Sequence, residues 1–217
     1  MTRLPTSFFA CSAEELARRL LGCLLVRRLD EGEPLVVRIV ETEAYIGVRD
    51  RGSHAFGGRR TPRNEAMYAA PGTSYVYFTY GMHHCFNVVC GRRDEPVAVL
   101  VRAAHPVRGV ERMGALRGVT AAADDATRAM ERLCAGPARL CQALAIDRGL
   151  NAIDLTRDDR LSIAAPEGDE VADREVVRAA RIGLGCGGAW AARRLRWLVK
   201  ASPSVSVGPP RRVGRRS

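Results

Sequence analysis

Two glutamates and a tyrosine recur at every second position in Val40-Glu41-Thr42-Glu43-Ala44-Tyr45. An extended chain turns alternate side chains to one face. Leu35, Val37, Ile39, Glu41, Glu43 and Tyr45 are therefore expected along one side of a strand covering Leu35 to Tyr45. The apolar half of that face asks for burial, and a carboxylate at the rim of a core needs a partner or a task. Two readings stay open. Either both acids are solvated at a frayed strand end and pair with surface arginines, or one is a buried acid kept for proton transfer. A carboxylate-pair glycoside hydrolase is a further option, because i,i+2 acids on one face stand roughly 6.5–7 Å apart at the backbone. One short strand, however, cannot put two acids on opposite faces of a sugar.

A second unusual stretch is Tyr75-Val76-Tyr77-Phe78-Thr79-Tyr80-Gly81-Met82, which holds three of the five tyrosines. It reads as one arm and the turn of a hairpin. Turns favour Gly, Asn, Asp and Pro, so Tyr80 and Met82 beside a lone glycine would expose apolar surface at the tip. The tip is either an ordinary one packed on the loop Gly47 to Arg60 or a contact site; in a basic protein one such contact is a wedge between DNA bases. His83, His84, Cys85 and Cys90 do not make a metal site, because neighbours on a strand face opposite ways. No Ser/His/Asp set has a nucleophile-elbow context. Gly183-Leu184-Gly185-Cys186-Gly187-Gly188 lacks the Lys-Ser/Thr of a phosphate loop.

The elements that must hold these residues are short and mixed. Ser12-Ala13-Glu14-Glu15 is a capping box opening a helix with Leu16, Leu20 and Leu21 on its apolar stripe, and Gly22 is its stop. Strands are expected at Cys23 to Arg28, Leu35 to Tyr45, Ser74 to Tyr80, His83 to Cys90 and Val97 to Ala103. Two more, Leu195 to Lys200 and Ser204 to Val207, close the chain. A helix start is expected at Thr61-Pro62, and helices at Val107 to Arg117, Asp125 to Ile146 (broken at Gly136-Pro137) and Val171 to Ala180. Without regular βαβ alternation the class is α+β. The 217 residues fit a single domain, 1–208, followed by a basic, disordered tail, 209–217. The net charge is +10, and Lys200 is the only lysine among 34 basic residues. Codon bias explains the preference for arginine; the excess of cations itself favours an anionic partner, nucleic acid first and an acidic membrane second. Seven cysteines without a CxxC read as reduced, buried thiols of a cytosolic protein. No signal peptide or membrane-spanning run is visible.

Seven segments, in order, resemble the alkyladenine (3-methyladenine) DNA glycosylase family: RIVETEAYIG, GGRRTPRN, PGTSYVYFTYGMHHCFNVV, VLVRAAHP, CAGPARLCQALAI, ARIGLGCGGAW and ASPSVSV. They span about Pro5 to Val207. The resemblance implies one domain with a curved antiparallel sheet, flanking helices and a protruding β-hairpin. It also implies a monofunctional, monomeric enzyme without metal or cofactor. That enzyme flips damaged purines (3-methyladenine, 7-methylguanine, hypoxanthine, ethenoadenine) out of double-stranded DNA and hydrolyses the N-glycosidic bond. The runner-up is a catalytically silent DNA-lesion-binding protein of the same fold. The expected compartment is cytoplasmic, at the nucleoid in a prokaryote.

Carried over by position, Glu43 matches the general base and Arg102 the arginine beside the attacking water, where it would keep Glu43 ionised. The backbone near Val205 would complete the water site. Tyr45, His54 and Tyr77 match the pocket walls, sandwiching the purine. The His54 N–H would read purine position 6, and the Gly52 N–H would reach N7. Asn87 would crowd the exocyclic amine of guanine. Tyr80, with Met82, would fill the gap left by the flipped nucleotide. Arg60, Arg63 and Arg139 are candidate phosphate contacts. The loop Val48 to Ser53 is more basic than the family's, which weakens the Gly52 assignment, and the tail after Pro209 has no counterpart there.

Overall fold

The computed structural model describes residues 1–30, 32–79, 81–119, 126–185 and 188–208. The intercalation candidate Tyr80 and the tail 209–217 lie outside the described residues.

Eight antiparallel strands make one sheet: β1 (Leu24–Arg27), β2 (Leu35–Tyr45), β3 (Ser74–Thr79), β4 (His83–Cys90), β5 (Val97–Arg108), β6 (Leu161–Ala164), β7 (Val176–Ala179) and β8 (Arg196–Val199). Their order is β3-β4-β5-β2-β1-β6, and β8 joins the second half of β2 and carries β7 outside it. Among the described residues the α-helices are α1 (Thr6–Phe9), α2 (Ala13–Arg19), α3 (Val110–Leu116), α4 (Ala126–Glu131), α5 (Pro137–Ala143) and α6 (Ala189–Ala192), and the class is α+β as expected. Helix α2 starts where the capping box predicts, with Ser12 Oγ accepting the Glu15 N–H at 3.2 Å. It lays Leu16, Ala17 and Leu20 on the main core beside Leu35, Val37, Ile39, Phe86, Val99 and Trp197. Among the described residues no helix is long and apolar enough to cross a membrane.

Four local expectations need correction. Val171 to Ala180 is no helix: its β-branched Val176 and Val177 pair with Val199 and Leu198 in a two-strand extension. Ser204 to Val207 is no strand, and its backbone turns inward to meet Glu41. Thr61-Pro62 opens no α-helix. The Thr61 N–H and hydroxyl both donate to Asn64 Oδ1, at 2.7 and 2.9 Å, and only a short 3-10 turn, Glu65–Tyr68, follows. Strand β5 also runs on to Arg108, so the helix expected from Val107 begins at Val110.

The most consequential correction lies within β2. Its ladder to β5 pairs Ile39 with Ala104, Glu41 with Ala103 and Thr42 with Val101, which leaves Val40 and then Arg102 as extra residues. Such a bulge pair shifts the phase of alternation by one residue. Leu35, Val37 and Ile39 face the main core, and beyond the bulge so does Ala44. Thr42 points the same way, its hydroxyl donating to Ala17 O of α2 at 2.7 Å. Glu41, Glu43 and Tyr45 therefore turn to the opposite face from Ile39, instead of sharing its side.

Candidate active site

Beyond the bulge, that opposite face meets a cavity of about 490 Å³. Its walls include Tyr45 from β2, Tyr75 and Tyr77 from β3, Asn87 from β4, Arg102 from β5, and the segments Arg51–His54 and Ile182–Gly185. The register that brings them together is ordinary pairing: Tyr75 lies opposite Asn87, Asn87 opposite Leu100, and Leu100 opposite Glu43.

Glu41 and Glu43 are both completely buried, which excludes the solvated reading. Their surroundings differ. Glu41 takes the Arg196 guanidinium at 2.7 Å, the Ser206 N–H at 2.7 Å and the Ser206 hydroxyl at 3.0 Å, with Arg102 Nε at 3.3 Å. Glu43 takes the Ile182 N–H at 2.9 Å and the Tyr45 hydroxyl at 3.1 Å, with Arg102 Nη1 at 3.5 Å. Tyr45, Arg102 and Ile182 all line the cavity, so Glu43 sits directly behind its wall. Burial pushes the Glu43 carboxyl above the usual carboxylate range; Arg102, the Ile182 N–H and the Tyr45 hydroxyl each pull it back, and Glu41 adds to the rise. Arg102 is the strongest of the groups that favour the ionised form of Glu43, as expected of it. It is shared with Glu41, and desolvation outweighs it.

The aromatic walls differ from a simple sandwich. His54 and Tyr77 meet edge to face, 4.6 Å between centroids at 76°, too close to admit a base between them. A stacked base would have the His54–Tyr77 corner on one side and Tyr45 on another. Burial, with Arg63 and Arg59 adding to it, lowers the His54 pKa, which favours a neutral ring beside the Tyr75 hydroxyl 2.7 Å from Nδ1. Asn87 is buried, with its amide nitrogen donating to Tyr75 O at 2.9 Å.

Three expected contacts are revised. The Gly52 N–H donates to Asp50 Oδ1 at 2.9 Å, so it does not face the cavity as a free donor. The position is crowded as well: a Cβ at 52 would stand 2.9 Å from both Arg181 Nη2 and Leu184 Cδ2, so a larger residue would have to displace them. Val205 packs with Val40, Ala103 and Leu198, and its neighbour Ser206 serves Glu41; the backbone that touches Glu43 is Ile182. Arg60 is engaged by Glu65 at 2.6 Å and Asp94 at 2.8 Å, leaving it a poor phosphate ligand. Arg63 donates to Phe78 O at 3.0 Å, and Arg139 lies exposed on α5, whose Pro137 lines the cavity; neither forms an ion pair among the described residues. At the hairpin, Gly81 turns the chain at φ +69°, and Met82 and Phe78 are 67% and 42% exposed. The tip neighbours therefore project into solvent. Among the described residues no cluster of three His, Cys, Asp or Glu side chains could hold a metal ion.

Sequence reading missed Ile182, Arg181 and Asp50. Arg181 and Ile182 lie in the glycine-rich motif ARIGLGCGGAW and Asp50 in the loop Val48 to Ser53, and neither stretch had given these residues a role.

Residues 7–203 match the family described as methylpurine-DNA glycosylase. The chain is similar to the DNA-3-methyladenine glycosylase of Homo sapiens, 45% identical over 95% of this chain and 69% of that protein. It is also 45% identical to the Mus musculus protein of that name, over 94% of this chain but only 61% of the mouse protein. A putative 3-methyladenine DNA glycosylase of Desulfitobacterium hafniense is 42% identical, over 85% and 88% of the two chains. The class is that of the DNA glycosylases, enzymes of DNA repair that act on DNA. Within it, the chain belongs to the methylpurine-DNA glycosylase family.

Proposed function

We propose that this protein excises damaged purines from duplex DNA as a monofunctional, monomeric enzyme, with Glu43 as general base. The observation that carries the reading is a buried, partly satisfied carboxylate directly behind an aromatic cavity, its partners Tyr45, Arg102 and Ile182 forming the wall. A base must leave the stack to be acted on, and a flipped purine would stack against Tyr45 and the His54–Tyr77 corner. A water between Arg102 and the Ile182 backbone gives a proton to Glu43 as its oxygen bonds to C1′. The C1′–N9 bond breaks and its electron pair leaves with the purine. Alkylated purines carry a positive charge that accepts this pair readily; hypoxanthine depends more on the activated water. The His54 N–H, without a hydrogen-bond partner among the described residues, is the better donor to the base than Gly52. Asn87 in the wall supports exclusion of the guanine amine.

Tyr80 and Met82 act as the wedge that fills the vacated stack. Beside the base pocket a second cavity of about 400 Å³ shares Arg51, Ser53 and His54 with it and adds Arg59 and Arg63, with no acidic wall residue. These cations, with Arg139 and in place of Arg60, take backbone phosphates without reading sequence. The catalytic domain is residues 1–208, the tail adds non-specific charge, and the working compartment is the cytoplasm or nucleoid.

The test is a single-turnover assay on a duplex with one hypoxanthine, followed by alkali, with wild type and Glu43→Gln side by side. Abasic-site cleavage by wild type alone is expected. Equal cleavage by both would remove Glu43 as the base. Tight lesion binding without cleavage by either, repeated on an alkylated duplex, would mean a silent lesion-binding protein.

A further inference from the structure

The reaction as proposed makes no use of the most completely buried ion pair among the described residues. Arg181 and Asp50 are both fully buried at the side chain. The guanidinium grips the carboxylate with two parallel bonds, Nη1 to Oδ2 at 2.6 Å and Nη2 to Oδ1 at 2.7 Å. Asp50 also accepts the Ile46 N–H at 3.2 Å and the Gly52 N–H at 2.9 Å, so the loop leading to His54 is wound around its carboxylate. Arg181 reaches back as well: Nη1 donates to Ala44 O at 2.9 Å, and the guanidinium carbon lies 4.7 Å from the centre of the Tyr45 ring. The next residue, Ile182, gives its N–H to Glu43. The dipeptide Arg181-Ile182 therefore touches β2 at Glu43, Ala44 and Tyr45, and the pocket loop at Asp50.

We propose that the Arg181–Asp50 pair is a positioning device that fixes the base-pocket loop and the hydrogen-bond donors of Glu43 in one register. This rests on Glu43 being the base. Burying two charges is costly, and a well-packed apolar pair often serves stability as well or better. Here even the Arg181 Nε–H is left without a hydrogen-bond partner among the described residues. What a fork adds is fixed geometry, since two parallel bonds set the plane and distance of both partners. The groups facing Glu43 are Arg102 from β5, Glu41 and Tyr45 from β2, Cys85 from β4, the Ile182 N–H and, through its charge, Arg181 itself, which Arg181→Lys preserves. The pair sets two of these, Tyr45 by stacking and Ile182 by chain connection.

The decisive variant is Arg181→Lys, which keeps the charge and loses the fork. In the full chain with carbon-13 glutamate, the Glu43 carboxyl is assigned by its disappearance in Glu43→Gln and titrated with no substrate present. Positioning predicts an upward move of the Glu43 midpoint by about half a pH unit or more as its donors slacken. The acid limb of the single-turnover rate moves with it, and the rate falls about tenfold while half-saturation by lesion duplex changes little. Asp50→Asn serves if Arg181→Lys does not fold, with the same loss of rate at unchanged half-saturation. Either folded variant with a lowered Tm but the wild-type rate, or Arg181→Lys with the wild-type midpoint, would overturn the proposal. The titration reads the pair without turnover, so a wild type that excises nothing would count against the glycosylase reading alone.

Discussion

Glu41 and Glu43 sit two residues apart on one strand, equally buried and sharing one arginine, yet they occupy different electrostatic worlds. Around Glu41 the C-terminal segment closes in, so that Arg196, Arg102 and both donors of Ser206 meet its two oxygens. Around Glu43 there is one backbone N–H, one phenol and a longer approach from Arg102. A fully paired buried carboxylate is a structural joint, expensive to break. An under-paired one behind a cavity wall holds its proton more readily than a free acid, and its pKa moves toward the working range of a general base. Burial alone therefore does not mark a catalytic acid; the count and quality of its donors does.

The comparison can be broken most sharply by turnover. Glu43→Gln should lower single-turnover excision on the order of 10²–10⁴-fold with lesion binding retained. Glu41→Gln should keep most of the activity of its folded fraction, and loss of nearly all of it would restore the carboxylate-pair reading. Stability should separate the two in the other direction. Glu41→Gln strands buried Arg196 and should cost about 3 kcal/mol or more in urea unfolding. Glu43→Gln should be more stable than wild type at neutral pH. The sign follows from its raised pKa: the folded chain holds a proton that the unfolded chain has released. The wild type therefore loses stability as pH climbs from the ordinary carboxylate range through the raised folded value, and a neutral side chain avoids that loss. The same ionisation should give wild-type excision an acid limb lying above the ordinary carboxylate range, rising with pH; a limb within that range would mean Arg102 wins over burial.

The smallest effect separates the arginines by their partners. Arg51→Gln, Arg59→Gln and Arg63→Gln should each weaken duplex binding evenly across sequences and reduce the salt slope by roughly one. Arg60→Gln should leave that slope unchanged, because Glu65 and Asp94 already hold Arg60. A reduced slope for Arg60→Gln alone would mean that those ion pairs open on DNA.

Local sequence determined much here. The capping box marked the start of α2, the residues from Ser74 onward marked a hairpin strand, and the ordered motifs marked the family. These signals are local because caps, turns and strand alternation are set by neighbours within a few residues. Tertiary structure decided the rest. The bulge at Val40 and Arg102 inverted the face expected of Glu41 and Glu43, and nothing in VETEAYIG announces it, since a bulge depends on the register of the partner strand. The partners that separate the two acids come from far along the chain: Ile182 is 139 residues from Glu43, Arg196 and Ser206 are 155 and 165 from Glu41. The fork on Asp50 arrives from 131 residues away. A carboxylate's task is set by which donors surround it once water is excluded, and those donors are chosen by the fold.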